Sequence, residues 1–337
     1  MGKVAVQLLS WNGLKYLPGC FDSLFKQTYK DFSLYVLDNG SRDGSLEWLK
    51  REQTAGRYRF TLIEQKENLG FAGGHNFLFT QQHASYVLLL NQDIIFAPHL
   101  LEALVRFMEE HSKSAAVTGV LYRWKKFPDE ALIIDSLGLK LLPNGRVIEL
   151  GQGAGEAAVP NMARQIFGAS GALPLYRRSA LDELKKYQGE IFDQDFFAYK
   201  EDVDLAYRLR LAGYEAWLEP QAVGWHDRTI VGARFLDDLT AARGRQGRHQ
   251  IGRRYSYRNH LLFLLKNLPL EVWRRLWYKI GWYELKKFLY LLVLEPKTWW
   301  FAWKDLKHLP QHLAKRRLVQ QTKQVKTQDI WSWYQMS

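Results

Sequence analysis

Residues 86–96 read YVLLLNQDIIF, an apolar run that breaks at Asn91-Gln92-Asp93 and then resumes. An uninterrupted apolar run bounded in this way predicts a strand buried on both faces, as in the middle of a parallel sheet. The polar triplet then falls at the carboxyl end of the strand, and open α/β sheets bind their ligands outside those ends. Asp93 is therefore a candidate metal ligand, set against the plainer reading of Asn-Gln-Asp as turn chemistry.

The preceding and following residues supply a sheet for that strand. Residues 4–9 predict a strand, 17–27 a helix with Leu17, Phe21, Leu24 and Phe25 on one face, 34–37 a strand and 45–52 a helix. A strand at 60–63, a helix opening near 72–74 and a helix over 98–111 begun by Pro98 continue the alternation. Such a rhythm with short connections predicts a mostly parallel sheet with right-handed crossovers.

Two further loops fall at strand carboxyl ends, DNGSRDGS at 38–45 and NLGFAGGHN at 68–76. Their glycines permit positive φ, and a helix starting near Gly73 would offer free N–H groups to a phosphate. Neither loop is G-x-G-x-x-G, and no G-x-x-x-x-G-K-[ST] occurs, so dinucleotide and P-loop readings lack support. Another polar cluster, Glu201-Asp202-Val203-Asp204, opens a predicted helix within FFAYKEDVDLAYRLRLAGY. Read alone, these acids complement a helix N-terminus.

Charge divides the chain. From residue 231 onward there are 21 Lys and Arg against 7 Asp and Glu, whereas residues 1–230 carry a net −2 of the total +12. The same tail holds 8 of the 13 tryptophans, so residues 1–230 and 231–337 are expected to form two regions with different partners. Within the tail, Trp273, Leu276, Trp277, Ile280 and Tyr283 recur at helical spacing, with Arg275, Lys279 and Lys286 on the opposite face. The apolar run at 288–294 is stopped by Glu295-Pro296, far short of the roughly 20 residues that span a bilayer. A helix lying on an anionic membrane surface is expected, the alternatives being a helical subdomain packed on the core or a homodimer interface. No nucleic-acid fold signature accompanies the basicity, so no nucleic-acid partner is expected. A single cysteine, Cys20, excludes an internal disulfide framework and points to a reducing compartment. The chain opens directly on a strand pattern without an export signal, and Val6 departs from a myristoylation signal.

Taken in order, LLSWNG, LDNGSRDGS, NLGFAGGHN, LLLNQD, FGASGALPLYRRSAL, FFAYKEDVDLAYRLRLAGY and VGWH resemble glycosyltransferase family 2, in particular its rhamnosyltransferase-like bacterial branch, over residues 4–260. The resemblance implies a GT-A fold, an α/β Rossmann-like architecture with a mostly parallel central sheet, here followed by a C-terminal helical region. It also implies a nucleoside-diphosphate-sugar donor, dTDP-rhamnose or a UDP-sugar, a Mg²⁺ or Mn²⁺ cofactor, and inversion at the anomeric carbon. The acceptor would be a glycan or lipid-linked sugar of cell-surface polysaccharide synthesis, with the enzyme cytoplasmic and peripheral at the inner face of the cell membrane.

By the same resemblance Asp38 matches the aspartate that contacts the base, and Asn12 borders the nucleotide. Asn68, Gly70 and Asn76 fall in the segment lining the donor. Asn91-Gln92-Asp93 matches the DxD motif with Asn91 in place of its first aspartate, which removes one charge but keeps a carbonyl ligand or ribose contact. Asp93, two residues on along an extended strand, and His226 of VGWH match the metal ligands. Asp202 matches the catalytic base, Glu201 an acceptor-side carboxylate, and Ser170 and Gly171 the acceptor loop; Asp204 is read as structural. Residues 135–153 resemble a hairpin insertion of the branch. A sugar-phosphate nucleotidylyltransferase would need a Gly-rich, Arg-containing loop after the first strand, which LSWNGLKYL lacks. A non-catalytic sugar-nucleotide-binding protein would differ by releasing no nucleoside diphosphate.

Overall fold

The structure is a computed structural model in which residues 2–124, 131–227 and 250–335 are described. The expected alternation is present as β1 (Val4–Ser10), α1 (Leu17–Phe25), β2 (Phe32–Asn39), α2 (Ser45–Thr54), β3 (Phe60–Gln65), α3 (Gly70–Thr80) and β4 (Tyr86–Asn91). There follow β5 (Ile94–Phe96), α4 (Leu100–Glu110), β6 (Ser114–Arg123), β7 (Ile134–Ser136), β8 (Leu139–Leu141) and β9 (Val147–Glu149). The N-terminal region ends with β10 (Arg164–Ile166), β11 (Pro174–Arg177), α5 (Arg178–Gln188), α6 (Glu201–Leu211) and β12 (Glu215–His226).

One sheet runs in the order β10-β12-β6-β11-β4-β1-β2-β3, with β5 added to β12 and β7 to β6. β3, β2, β1 and β4 are mutually parallel, as are β6 and β12, and β11 is inserted antiparallel between β4 and β6. The strand alternation of side chains sorts the core into two layers. Leu88 and Leu90 of β4 pack with α1, α2 and α4, whereas Val87 and Leu89 pack with α3, α5 and α6. Burial on both faces is why this strand reads as an unbroken apolar run.

The run at 86–96 is two strands, not one. Gln92 and Asp93 form a turn, and β5 leaves β4 to pair antiparallel with β12, setting Ile94 opposite His226. Asp93 therefore does not share an extended strand with Asn91. The β5–β12 pairing, rather than strand periodicity, delivers it to the histidine.

The C-terminal region forms α7 (Gln250–Asn267), α8 (Leu270–Leu294), α9 (Pro296–Lys304), α10 (Leu309–Gln321) and α11 (Thr327–Trp333). One apolar cluster joins Leu262, Phe263, Val272 and Ile280 of this region to Phe167, Phe196, Val203 and Tyr207 of the N-terminal region. The change of charge near residue 230 is thus not a boundary between cores. The boundary residues themselves, 228–249, lie outside the described residues. In α8 the expected apolar face is divided. Leu276 and Ile280 are buried with Val272 and Leu291, whereas Trp277 is 66% exposed. The helix is apolar around more of its circumference than packing on one face can bury. Among the described residues no helix is long and apolar enough to cross a membrane.

Candidate active site

The carboxyl ends of β1, β2 and β4 open into one crevice, where Ser10 is the ladder partner of Asp38 and Leu9 that of Asn91. Asp38 is buried, and its Oδ2 accepts the Ser41 N–H at 3.1 Å. Its Oδ1 and the buried Ser10 hydroxyl have no hydrogen-bond partner among the described residues. Buried polar atoms are rarely left unpaired, so this pair marks a place for a ligand's N–H or O–H groups. Ser10 escapes a reading of the sequence, because a lone serine ending a strand carries no pattern.

Several polar residues expected to face a donor also brace the loops at these strand ends. Asn12, at φ +50°, accepts the Arg42 N–H at 2.8 Å. Asn68 accepts from Asn39 at 3.0 Å and from the Gly70 N–H at 2.7 Å, while Asn39 accepts the Leu69 N–H at 2.8 Å. Asn76 spends both ends of its amide on the Phe192 backbone, donating at 2.7 Å and accepting at 2.9 Å, which makes it a strut between α3 and the loop before α6. Gly70 is at φ +72°, and a Cβ there would meet the Phe197 carbonyl oxygen at 2.4 Å. Only glycine lets the two loops approach so closely.

Gln92, unremarkable in the sequence beside its neighbours, pairs with Trp11 as a strand would, accepting its N–H and donating to its carbonyl, each at 3.1 Å. This contact fixes the turn that carries Asp93. His226 is buried, with Nδ1 2.8 Å from Asp135 Oδ2 and Nε2 3.3 Å from Asp93 Oδ1. Burial disfavours the imidazolium, but its contacts with the two carboxylates outweigh that and hold its pKa near 9. Asp135 thus orients the ring so that Nε2 faces Asp93, a role invisible in a sequence where the two residues are 91 positions apart. Beyond that imidazole, Asp93 Oδ1 is buried without a hydrogen bond among the described residues. A hard carboxylate oxygen beside an imidazole nitrogen is a donor set that fits Mg²⁺ or Mn²⁺. Among the described residues no three His, Cys, Asp or Glu side chains are arranged to enclose a metal.

The second constellation faces the loop before β11. The Asn91 N–H donates to the Ala172 carbonyl at 3.1 Å, and next to it the Gly171 N–H donates to Asp202 Oδ2 at 3.0 Å. Asp202 Oδ1 accepts the Val203 N–H at 2.7 Å, an N-terminal interaction of α6. Each carboxylate oxygen keeps a lone pair beyond these bonds. Burial, and then the negative charge of Glu149, raise the Asp202 carboxyl above its ordinary value. Glu149 belongs to the β8–β9 hairpin and accepts from Ser170 at 3.0 Å and from Ser136 at 2.6 Å. Ser170, expected in the acceptor loop, is buried with its hydroxyl bonded to Glu149. Glu201 is likewise buried, and burial together with Asp202 pushes its carboxyl well above the carboxylate range. Asp204, buried between Arg208 at 2.8 Å and Lys266 at 2.6 Å, is structural as expected.

With this geometry in view, the likeness to other proteins is informative. Glycosyltransferase GlyA of Streptococcus pneumoniae is 31% identical over 115 residues, 34% of this chain and 16% of GlyA. The chain spans less than half the length of the first curated relatives it matches. The mannosyltransferase PcManGT of Pyrobaculum calidifontis, solved with GDP-Man and Mn²⁺, superimposes with a TM-score of 0.52 at 16% identity, covering 99% of this chain and 84% of that one. GalNAc-T7, solved with UDP, GalNAc and Mn²⁺, gives 0.59 at 12% identity, covering 93% and 55%. These likenesses show a shared GT-A fold, a mixed, mostly parallel sheet flanked by helices. The profile described as Glycosyl transferase family 2 matches residues 7–185, just over half of the sequence, and the chain belongs to that family.

Proposed function

We propose that the protein is an inverting glycosyltransferase that moves a sugar from a nucleoside diphosphate to an acceptor hydroxyl deprotonated by Asp202. The observation that carries this reading is the placement of Asp202. It stands at the start of α6, tied through Gly171 to the loop that also holds the end of β4, so two hydrogen bonds link Asp202 to the strand end beside Asp93. The acceptor oxygen attacks the anomeric carbon and its proton passes to an Asp202 oxygen. The bond to the diphosphate breaks, and its electron pair leaves with the phosphate.

Asp38 and Ser10 supply the unpaired buried groups for the nucleotide, and the Asn39–Asn68 frame holds the donor loop. Asp93 and His226 would hold Mg²⁺ or Mn²⁺, which supplies charge neutralisation for the leaving diphosphate. His226 then keeps its proton on Nδ1, toward Asp135, and presents Nε2 unprotonated. The ligands bound to the two structural neighbours support a nucleotide donor and a divalent cation here. The order of motifs supports a dTDP-rhamnose or UDP-sugar donor and a glycan or lipid-linked acceptor.

The tail supports a place on the inner face of the cell membrane. α8 exposes Tyr278, Trp282, Leu285, Leu289 and Val293 along one stripe, with Arg275, Lys279 and Lys286 exposed beside it. Trp300 and Trp303 of α9 are also about half exposed. Aromatic rings at headgroup depth flanked by cations favour an anionic interface, each cation contributing about 1 kcal/mol.

Asp202→Asn keeps the side chain's shape but removes the proton acceptor, so turnover should fall by at least about 10²-fold with donor binding unchanged; turnover near wild type would remove Asp202 from the mechanism. Glu149→Gln removes the charge that helps raise Asp202, so the base deprotonates at lower pH and the acid limb of the pH profile of kcat/KM moves down. A limb that stays in place or moves up would contradict that coupling. Full-length protein should co-sediment with anionic vesicles at low salt and be released by high salt, with neutral vesicles as control. Protein left in the supernatant under the first condition would make the exposed stripe of α8 a protein interface instead.

A further inference from the structure

The segment that leads into Asp202 is held in an unfavourable conformation. Phe197, Tyr199 and Lys200 have φ of 57°, 71° and 75°. Bulky L residues adopt this left-handed region at a cost and remain there only where their surroundings impose it. Glycine would take it freely, so the chain has placed strain, rather than flexibility, immediately before its carboxylates.

The imposing group comes from the C-terminal region. Asn259 of α7 is fully buried, and its side-chain amide donates to the carbonyls of Phe196, Ala198 and Tyr199 at 2.7, 2.9 and 2.7 Å. One –NH₂ has two N–H bonds, so three carbonyls converge on it and one bond is shared. Asn259 Oδ1 accepts from the Arg258 guanidinium at 3.0 Å, which fixes the amide the right way round. One turn earlier on the same face, Tyr255 stacks on Phe197 with ring centres 5.2 Å apart. A further turn back, Gly252 lies against the Tyr199 ring, whose hydroxyl a Cβ would meet at 2.9 Å. From the other side the Ala72 N–H of α3 donates to the Phe197 carbonyl at 3.1 Å.

We propose that Asn259 is a positioning residue of the transferase: by gathering three carbonyls it holds the left-handed turn closed and aims Asp202 into the crevice. This rests on the reading of Asp202 as the base. Asn259 is itself fully buried, and it acts only through the backbone of residues 196–200. The basic C-terminal helices are in consequence part of the framework of the site, and removing them removes the turn's support.

The test compares full-length wild type with Asn259→Ala, Asn259→Ser, Asp202→Asn and the double variant Asn259→Ala/Tyr199→Gly. Release of nucleoside diphosphate from UDP-glucose, UDP-galactose, GDP-mannose and dTDP-rhamnose with Mn²⁺ gives kcat and KM, and hydrogen exchange reports protection of residues 196–204. Asn259→Ala should lower kcat about 10- to 100-fold while the donor KM stays within about 2-fold, as expected when a reacting group is misplaced and substrate affinity is untouched. Protection of 196–204 should fall with it. Asn259→Ser, which keeps one donor, should lie between and carries the comparison if the alanine variant does not fold. Glycine at 199, free to adopt positive φ, should restore part of kcat in the double variant, which a general loss of stability would not produce. A folded Asn259→Ala protein with wild-type kcat, or one altered only in KM, overturns the proposal. Asp202→Asn separates the two readings: it should lose turnover with the 196–204 protection intact, whereas full turnover would dismiss the base itself whatever Asn259 does.

Discussion

A buried pair of cations sets the geometry on which the rest of the site depends. Asp204 of α6 lies between Arg208, one turn along the same helix, and Lys266 of α7, and all three are buried. Lys266 also meets Asp193 at 2.5 Å, while Asn267 donates to Asp204 at 2.8 Å. Burial alone would raise the Asp193 carboxyl, yet Lys266 and Lys315 hold it well below the usual range. Stripping one partner from such a pair leaves an uncompensated charge, typically at a cost of about 3–5 kcal/mol. The first turn of α6 and the end of α7 are therefore locked together, and Asp202 sits in that first turn. The neighbouring Glu201 is buried as well, and burial and then the charge of Asp202 push its carboxyl upward.

The sheet is legible in the sequence because the strands buried on both faces are continuous apolar runs and the helices between them carry period-3.6 faces. Asp93, Asp202 and His226 are legible as members of an ordered set of motifs. Their partners are not. Asp135, Glu149, Gln92 and Ser10 meet the site through strand pairing and hairpin register, which bring together residues as far as 91 positions apart. No local pattern encodes such contacts. The polar loop residues carry a second duty that no local pattern shows: a loop must satisfy its own backbone, and Asn12, Asn68 and Asn76 each bond backbone groups of their own or a neighbouring loop. Asn91 ends β4 while Gln92 and Asp93 turn, so Asp93 is not on the extended strand expected for it; an apolar run cannot distinguish one strand from two that share a bend.

The tail shows how one basic, aromatic sequence can serve two surfaces. Val272, Leu276 and Ile280 pack into a cluster with Tyr207 and Phe196, so the inner face of α8 completes the support under α6 and α7. The outer stripe, from Tyr278 to Val293, remains exposed. A membrane bound there would act on a helix that is also packed against the framework of the catalytic turn, which gives docking and chemistry a common structural element.

In the proposed enzyme the carboxyl ends of β1, β2 and β4 hold a nucleoside diphosphate, with a cation at Asp93 and His226. Calorimetric titration of the full-length protein with UDP, GDP and dTDP, with Mn²⁺ and after chelation, tests it most directly. The account predicts that at least one nucleotide binds, that chelation weakens its binding, and that Asp93→Ala abolishes the difference made by Mn²⁺. Nucleotide binding that is indifferent both to chelation and to Asp93→Ala would contradict it.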